Sequence, residues 1–335
     1  MNAGLAAQLP SPAPPRRRVD ATHRERMRLR VAPPFELEVA LLGHGWIDLA
    51  PHRWRRGSGR FDTAIAIGGG AVDVAVTQRG GVLGVDVTGA RPLAPDDRRG
   101  VRAALRRMLR LDHDYRPFWR RCAATPGLAW VARRGGGRLL AGASLFEDLL
   151  KLLFTTNCSW AATRLMVQRV VEALGTRTPS GRAAFPDAVA CARQPERFWR
   201  DVVRAGYRAG AAHELARRFA SGELRDEQFE DARSGTADVR RRLLAIAGFG
   251  PYAAGQALRL LGRHDDLALD SWCRGKLARL LERRRPPSDR QIERRYARHR
   301  ADRGLVLWME LTADWHGEAA LRERDGVLAA LRAGG

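Results

Sequence analysis

Residues 243–262 read Leu-Leu-Ala-Ile-Ala-Gly-Phe-Gly-Pro-Tyr-Ala-Ala-Gly-Gln-Ala-Leu-Arg-Leu-Leu-Gly, a pattern that predicts two helices joined by a hairpin. The first helix ends at Gly248, Phe249 is expected to be buried, and Gly250 permits a tight reversal. Pro251 suits the first position of the second helix, where no N–H is needed. Outward-pointing amides at the positive end of that helix suit a phosphate, and glycine lets a nucleic-acid backbone approach closely. Taken alone, a Gly-x-Gly corner is more often an ordinary turn.

The next informative segment, residues 267–274, reads Leu-Ala-Leu-Asp-Ser-Trp-Cys-Arg and places Asp270 twenty residues after Gly250. An aspartate before a helix is usually an N-cap. This spacing also puts the carboxylate at the mouth of the groove that the hairpin would clamp. A carboxylate there can stabilise a cationic sugar and polarise a water molecule. The two roles are compatible, because a cap position fixes the orientation of the side chain.

The chain of 335 residues has a formal net charge of +22, from 59 basic and 37 acidic residues. This balance favours a polyanionic partner, because each neutralised phosphate releases counterions. Only Lys151 and Lys276 are lysines, and a GC-rich genome also explains such an arginine bias. No apolar run approaches the roughly 18 residues of a membrane span, and the N-terminus has no apolar signal core. We therefore expect no membrane partner and a cytoplasmic, nucleoid-associated protein.

The four cysteines are widely scattered and form no Cys-x-x-Cys pair: Cys122, Cys158, Cys191 and Cys273. Zinc sites and iron–sulfur clusters need closely spaced thiolates. The sequence therefore predicts no metal site and reduced core thiols.

Composition and periodicity divide the chain into three regions. Residues 1–30 are Pro/Ala-rich and then Arg-rich, which is typical of a disordered basic arm. Residues 31–95 have a period of two, which predicts a small antiparallel sheet. Residues 96–335 are helical to the end. The predicted strands are 35–39, 61–67, 71–76 and 82–87. The predicted fold class is α+β, predominantly α.

Helical spacing and capping signals mark individual helices in the third region. Val101, Leu105, Met108 and Leu109 form one apolar stripe. Ser144-x-x-Glu147 and Ser288-x-x-Gln291 are candidate capping boxes. Further helices are predicted over 159–174, 187–192, 196–205, 209–220 and 239–246, with a last pair ending near Arg332.

The hairpin followed by the spaced aspartate resembles the helix-hairpin-helix DNA glycosylase superfamily, in its 3-methyladenine glycosylase II and 8-oxoguanine glycosylase branch. Residues 145–157 resemble the first core helix and the loop that probes DNA, and residues 185–189 and 206–209 resemble the helices that follow. The β region is similar to the N-terminal domain of that branch. The resemblance covers roughly residues 35–315. It implies a monomer that binds double-stranded DNA, flips out a damaged base and hydrolyses its glycosidic bond.

The resemblance also implies roles for individual residues. Asp270 matches the catalytic aspartate. Gly248 and Gly250, with Phe249 between them, match the phosphate-binding hairpin. The resemblance allows a monovalent cation at the hairpin and implies no other cofactor, because the four-cysteine cluster of the endonuclease III branch is absent.

Two further candidates for DNA contact are Asn157 and Arg274. Asn157 lies in the loop that, in the 8-oxoguanine branch, fills the gap left by the flipped base. A polar residue at a helix end explains Asn157 equally well.

One departure from the family pattern concerns whether the enzyme has a lyase step. Bifunctional members have a lysine two residues after the second hairpin glycine, where this chain has Tyr252. That lysine attacks the sugar to form a Schiff base, and both lysines of this chain lie elsewhere. The departure predicts a monofunctional enzyme that leaves an abasic site.

Tyr252 also indicates a substrate. The 3-methyladenine branch has an aromatic residue here, and a cationic alkylated purine gains from stacking on a π face. Trp272, Trp160 and Trp46 are further candidates for the base pocket, although large aromatic residues are more often core. The 8-oxoguanine branch typically has histidine where Trp272 stands, which weakens oxidised guanine as the substrate.

Three alternatives stay open at this stage. They are a noncatalytic helix-hairpin-helix DNA-binding protein, a glycosylase for 8-oxoguanine, and a glycosylase for a bulky lesion. Geometry discriminates the first from an enzyme. In an enzyme the Asp270 carboxylate should face an open, aromatic-lined pocket beside the hairpin.

Overall fold

The computed structural model describes residues 22–333, with a five-stranded antiparallel sheet followed by helices. The spatial order of the strands is β1-β5-β4-β3-β2. The strands are β1 (His23–Arg30), β2 (Arg53–Arg55), β3 (Arg60–Ile67), β4 (Gly70–Arg79) and β5 (Val82–Gly89). Three of the four predicted strands are confirmed as parts of β3, β4 and β5.

The expected basic arm, residues 1–30, is wrong in its last part. Residues 1–21 lie outside the described residues, whereas His23–Arg30 form β1. Met27 and Leu29 are buried on one face of this strand, and the arginines between them are exposed. Arg26 forms an ion pair with Asp86 of β5, at 2.7 Å. The arginines therefore belong to the solvent face of a paired strand, and the sheet begins before residue 31.

A row of buried side chains crosses the sheet from β1 to β3. Met27 pairs with Val85, Val85 with Val76, and Val76 with Phe61. All four are nearly inaccessible to solvent. Such cross-strand apolar neighbours on one face are what stabilises an antiparallel sheet. This face packs toward the helices, which joins the sheet to the main hydrophobic core.

The helices follow in chain order, with short 3₁₀ segments between some of them. The α-helices are α1 (Leu37–Leu42), α2 (Pro95–Met108), α3 (Arg116–Ala123), α4 (Ala129–Arg134), α5 (Leu145–Leu153), α6 (Trp160–Leu174), α7 (Ala188–Ala192), α8 (Glu196–Asp201), α9 (Ala209–Ala220), α10 (Glu227–Glu230), α11 (Thr236–Leu244), α12 (Pro251–Leu260), α13 (Ser271–Leu280), α14 (Asp289–Tyr296), α15 (Arg303–Thr312) and α16 (Glu318–Ala333). The 3₁₀ segments are Gly45–Asp48, Arg56–Ser58, Gly206–Arg208, Ala297–Asp302 and Ala313–His316.

The strand predicted over residues 35–39 is wrong, because this segment leads into helix α1. Leu37, Ala40 and Leu41 are all buried and have the i, i+3, i+4 spacing of a helix face. The alternation of Phe35, Leu37 and Val39 fits a strand equally well over so short a run. The apolar residues that follow it decide the outcome.

Most of the predicted helices are confirmed, with altered ends for two of them. The apolar stripe of α2 is buried, and the helix 159–174 is α6, capped by Ser159. The helix predicted over 196–205 is shorter, and the one predicted over 239–246 begins and ends earlier. Ser288 and Gln291 form the expected capping box.

The other predicted capping box forms only in half. Ser144 accepts a hydrogen bond from the Glu147 amide at 3.2 Å. Glu147 turns instead toward the amide of Ala143 and the ammonium of Lys151. Lys151 is fully buried, so the carboxylate is needed to compensate its charge.

Helix α5 lies at the centre of the fold, and all of its side chains are buried. Asp148 on this helix accepts hydrogen bonds from the Trp46 indole at 2.8 Å and from Arg107 at 2.8 Å. Burial opposes ionisation of Asp148, but the positive charges of Arg107 and Arg110 hold its pKa below the usual value. Through this carboxylate, α5 fixes the position of a tryptophan from the N-terminal region.

Residues 22–333 contain neither a membrane-spanning helix nor a cluster of metal-ligating side chains. No helix in this range is long and apolar enough to cross a membrane. No group of three or more His, Cys, Asp or Glu side chains in the same range is arranged to hold a metal ion. All four cysteines are free thiols.

Candidate active site

Asp270 is the N-cap of helix α13. Its Oδ1 accepts a hydrogen bond from the Cys273 amide at 2.6 Å. Its Oδ2 accepts one from the side-chain amide of Gln256, on helix α12, at 3.3 Å. Both oxygens therefore have a protein donor, and the carboxylate keeps lone pairs for a further partner. The capping role expected from the sequence is confirmed.

Gln256 is oriented by a buried arginine. Arg259 donates from Nη1 to Gln256 Oε1 at 2.8 Å and from Nη2 to the Leu267 carbonyl at 2.9 Å. Because Arg259 only donates, the amide oxygen of Gln256 must face it and the amide nitrogen must face Asp270. Arg259 also lies 4.4 Å from the ring centre of Trp308. These contacts hold Gln256 in the orientation in which it donates to the Asp270 carboxylate.

Asp270 lines a cavity of about 500 Å³ that opens to the surface. All four aromatic residues named from the sequence as pocket candidates also line it, although they come from distant parts of the chain. The lining residues are His44, Gly45, Trp46, Asp48, Leu152, Thr155, Cys158, Trp160, Thr163, Tyr252, Gln256, Asp270, Trp272, Trp308 and Trp315. The aspartate thus caps its helix and also faces an aromatic-lined cavity.

One wall of the cavity consists of Trp46 and Trp160. Their rings are nearly parallel, at an interplanar angle of 9° with 6.5 Å between centroids. Trp46 is buried, whereas Trp160 is 39% exposed. A Cβ on Gly45 would lie 3.0 Å from the Trp160 ring, so glycine makes room for this arrangement.

A second aromatic part of the lining consists of three tryptophans from the C-terminal part of the chain. Trp272 packs against Trp308 at 5.6 Å and against Trp315 at 5.9 Å between ring centroids. The ammonium of Lys276 lies 5.1 Å from the Trp272 ring and is paired with Asp314 at 2.8 Å. Trp272 is itself 38% exposed, so an aromatic face is accessible to a ligand.

Two polar residues contribute uncharged groups to the cavity. The Tyr252 hydroxyl donates to Thr155 at 3.1 Å, and burial raises its pKa. Burial, with the positive charge of Arg259, lowers the pKa of His44 to about 3. Near neutral pH both side chains are therefore uncharged.

The two hairpin glycines have different structural roles. Gly248 has a φ of +79°, and a Cβ there would lie 2.7 Å from Leu153 Cδ1. Gly250 has an extended backbone, with φ −94° and ψ −173°, and a Cβ there would meet nothing within 4 Å. The tight reversal assigned to Gly250 therefore belongs to Gly248. The fold itself does not require glycine at position 250.

The remaining hairpin predictions agree with the structure. Pro251 occupies the first turn of α12, and Phe249 is buried. Because the Phe249 side chain is inside the core, only its backbone is available to a ligand. The open face of Gly250 thus lies at the positive end of a ten-residue helix.

Asn157 lies on the exposed loop between α5 and α6, with a φ of +45°. Its side-chain amide donates to the Tyr207 hydroxyl at 3.1 Å. Tyr207 is 68% exposed, and the guanidinium of Arg208 lies 4.4 Å from its ring centre. Thr155 and Cys158 of the same loop line the cavity. Asn157 on this loop and Tyr207 from the 3₁₀ segment Gly206–Arg208 therefore form an exposed polar and aromatic pair next to loop residues that line the cavity.

Arg274 is engaged within the protein. It forms two hydrogen bonds with Asp289, at 2.7 and 2.9 Å. A phosphate at Arg274 would have to compete with this carboxylate, and its DNA contact stays a prediction.

Several residues that line the cavity were not predicted from the sequence. Asp48, His44, Gln256, Trp308 and Trp315 line the cavity. Gln256 could have been predicted, because it lies four residues after Tyr252 and therefore on the same face of α12. The others reach the cavity only through tertiary packing.

The comparisons with known proteins concern the fold. No protein-family model matches the sequence, and no curated protein matches it significantly. Among solved structures, a 3-methyladenine DNA glycosylase from Archaeoglobus fulgidus matches with a TM-score of 0.65 and 18% identity, over 87% of this chain and 98% of that chain. An 8-oxoguanine glycosylase/lyase from Clostridium acetobutylicum matches in its apo form with a TM-score of 0.63 and 16% identity, over 88% and 99%.

The same Clostridium enzyme, in complex with double-stranded DNA that has cytosine opposite 8-oxoguanine, matches with a TM-score of 0.59 and 16% identity, over 81% of this chain and 91% of that chain. At such low identity the likeness shows the fold. The chain has the mainly helical α+β fold of these solved DNA glycosylases.

Proposed function

We propose that this chain is a monofunctional DNA glycosylase that binds duplex DNA as a monomer and releases an alkylated purine. One observation carries the proposal. Asp270 is fixed by two hydrogen bonds and also lines an open cavity with aromatic walls. A module that only bound DNA would have no need of such a carboxylate inside a pocket shaped for an aromatic ligand.

The proposed chemistry follows from the charge that develops as the base leaves. Breaking the glycosidic bond puts positive charge on the sugar, and a fixed carboxylate beside the sugar stabilises that charge more than it stabilises the uncharged sugar of the ground state. Cys273 and Gln256 hold Asp270 in place, so little reorganisation is needed during the reaction. The remaining lone pairs of the carboxylate are available to polarise the attacking water.

The aromatic walls favour an electron-poor base. A cationic alkylated purine is attracted to the negative faces of Trp160 and Trp272, both of which are partly exposed. Such a base is also a good leaving group, so one carboxylate suffices. An 8-oxoguanine is neutral and gains less from these faces.

A lyase step would need an amine in the cavity. Lys151 is fully buried against Glu147, and Lys276 is paired with Asp314. Neither lines the cavity, and position 252 holds tyrosine. We therefore propose that the product is an intact strand with an abasic site.

DNA would cross the surface between the hairpin and the Asn157 loop. The open backbone at Gly250 suits a phosphate 3′ or 5′ to the lesion, and Asn157 with Tyr207 would occupy the space that the extruded nucleotide leaves. The net charge of +22 supports association with DNA in the nucleoid.

The experiment is a base-release assay. Duplexes carrying 3-methyladenine, 7-methylguanine, hypoxanthine, uracil or 8-oxoguanine are incubated with the protein, and each reaction is analysed with and without alkali. We expect release of the methylated purines, with strand scission only after alkali. Scission without alkali would refute the monofunctional assignment. Binding without release from any duplex would favour the noncatalytic module, and release of 8-oxoguanine alone would refute the substrate class.

A further inference from the structure

A second carboxylate, Asp48, lines the cavity on the side of the N-terminal region. It ends the 3₁₀ segment Gly45–Asp48, and its Oδ2 accepts a hydrogen bond from the Trp160 indole at 3.2 Å. Within residues 22–333 the other oxygen, Oδ1, has no hydrogen-bond donor, and no ion pair involves Asp48. This side chain therefore holds the exposed tryptophan and retains an unused acceptor.

The charge of the cavity contrasts with the rest of the molecule, although the exposed Asp48 also borders a groove lined by Arg53, Arg164, Arg177 and Arg182. The chain has 59 basic residues, yet no arginine or lysine in the described part of the chain lines the cavity. His44 is uncharged there, because burial and Arg259 lower its pKa to about 3. The charged groups that remain in the lining are the two carboxylates, Asp48 and Asp270. A basic surface that attracts DNA thus surrounds a cavity that would attract a cation.

We propose that Asp48 is the residue that reads the charge of the extruded base. Its free Oδ1 accepts a hydrogen bond from the amino edge of a positively charged purine, while its Oδ2 keeps Trp160 in place beside that purine. The aromatic walls accept any planar base, and the carboxylate adds the preference for a cation. The identity of the ligand as a base rests on the proposed function.

The test separates the charge of Asp48 from its support of Trp160. Asp48→Asn keeps an oxygen that can accept from the indole and removes only the charge. Asp48→Glu keeps the charge. Asp86→Asn changes the net charge equally, but on the exposed face of the sheet, away from the cavity lining. The ligands are 1-methyladenosine, which is cationic at neutral pH, and adenosine, which is neutral.

Binding is measured through quenching of tryptophan fluorescence, with no DNA and no reaction. We expect Asp48→Asn to weaken binding of 1-methyladenosine about tenfold, the loss typical of a hydrogen bond to a charged partner, and to weaken binding of adenosine, whose amino group is uncharged, by much less. Asp48→Glu and Asp86→Asn should retain the preference of the wild type. An equal loss for both nucleosides, or no loss for either, would overturn the proposal.

A second arm uses release of 7-methylguanine and hypoxanthine from duplexes. 7-Methylguanine is cationic while it is attached to the sugar and leaves as a neutral base, so Asp48→Asn should raise the KM for its release and leave the KM for release of hypoxanthine unchanged. If the wild type releases no base but its nucleoside preference depends on Asp48, the proposed function fails and the role of Asp48 stands. If release proceeds with no dependence of either readout on Asp48, the role of Asp48 fails alone.

Discussion

The two hairpin glycines predict opposite effects of the same substitution. Gly250→Ala adds a methyl group where the structure has nothing within 4 Å and where φ is −94°. The free energy of unfolding should therefore change by less than ~0.5 kcal/mol. The methyl would project into the space offered to a phosphate. Loss of a hydrogen bond from an amide to a charged group is worth ~1.5–3 kcal/mol, which corresponds to roughly 10- to 150-fold weaker DNA binding.

Gly248→Ala should destabilise the fold instead. The left-handed backbone, with φ of +79°, costs a residue with a side chain ~1–2 kcal/mol. The new Cβ would lie 2.7 Å from Leu153 Cδ1, and such overpacking costs ~1–3 kcal/mol. Together these predict a loss of ~2–5 kcal/mol in the free energy of unfolding.

The assay pairs urea unfolding with fluorescence anisotropy on a duplex that contains an abasic-site analogue, at one fixed salt concentration. Gly100→Ala, on the exposed face of α2, is the control and should leave DNA binding unchanged while slightly raising stability. The prediction for the two glycines is wrong if Gly250→Ala binds DNA like the wild type, or if it destabilises the protein as much as Gly248→Ala.

Three further predictions concern the site and its surroundings. Gln256→Leu removes the 3.3 Å hydrogen bond to Asp270, so the single-turnover rate of base release should fall about tenfold while the affinity for DNA stays unchanged. An unchanged rate would show that the hydrogen bond from the Cys273 amide alone orients Asp270. Borohydride reduction during the reaction should trap no protein–DNA adduct on denaturing gels, because no lysine lines the cavity in the described part of the chain, and a trapped adduct would contradict this. Burial and nearby positive groups lower the pKa of both His44 and His264 to about 3, so the unfolded state takes up protons first as pH falls below about 6.5. The free energy of unfolding should keep its full value above that pH and decline toward pH 3 by ~1.4 kcal/mol per pH unit for each histidine. Measured by urea unfolding, its slope against pH should be shallower in His264→Gln than in the wild type. An unchanged slope would contradict the assignment.

The part of the site that the sequence predicts is the part that local backbone chemistry determines. The hairpin, Pro251 at the start of α12 and the Asp270 cap each depend on residues within a few positions of one another. Their spacing along the chain was enough to place them. The sequence could not predict that Gly248, and not Gly250, makes the tight reversal, because this depends on the contact with Leu153 on another helix.

Tertiary packing determines the rest. Trp46 was named from its residue type, and it reaches the cavity because Asp148 on α5 holds its indole. Asp48 and Trp308 had no local signal, since the first lies in a short 3₁₀ segment and the second in a helix that is buried throughout most of its length. Strand β1 was missed because its exposed arginines dominate the composition of that segment.

The most direct test of the account compares wild type with Asp270→Asn on a duplex that contains 7-methylguanine, with protein in excess and every duplex bound. Asparagine can still accept from the Cys273 amide, so the fold and the DNA affinity should be retained. If Asp270 is catalytic, the rate of base release should fall at least about 100-fold, the scale of losing a fixed group that stabilises transition-state charge. Release at the wild-type rate would show that Asp270 only caps its helix.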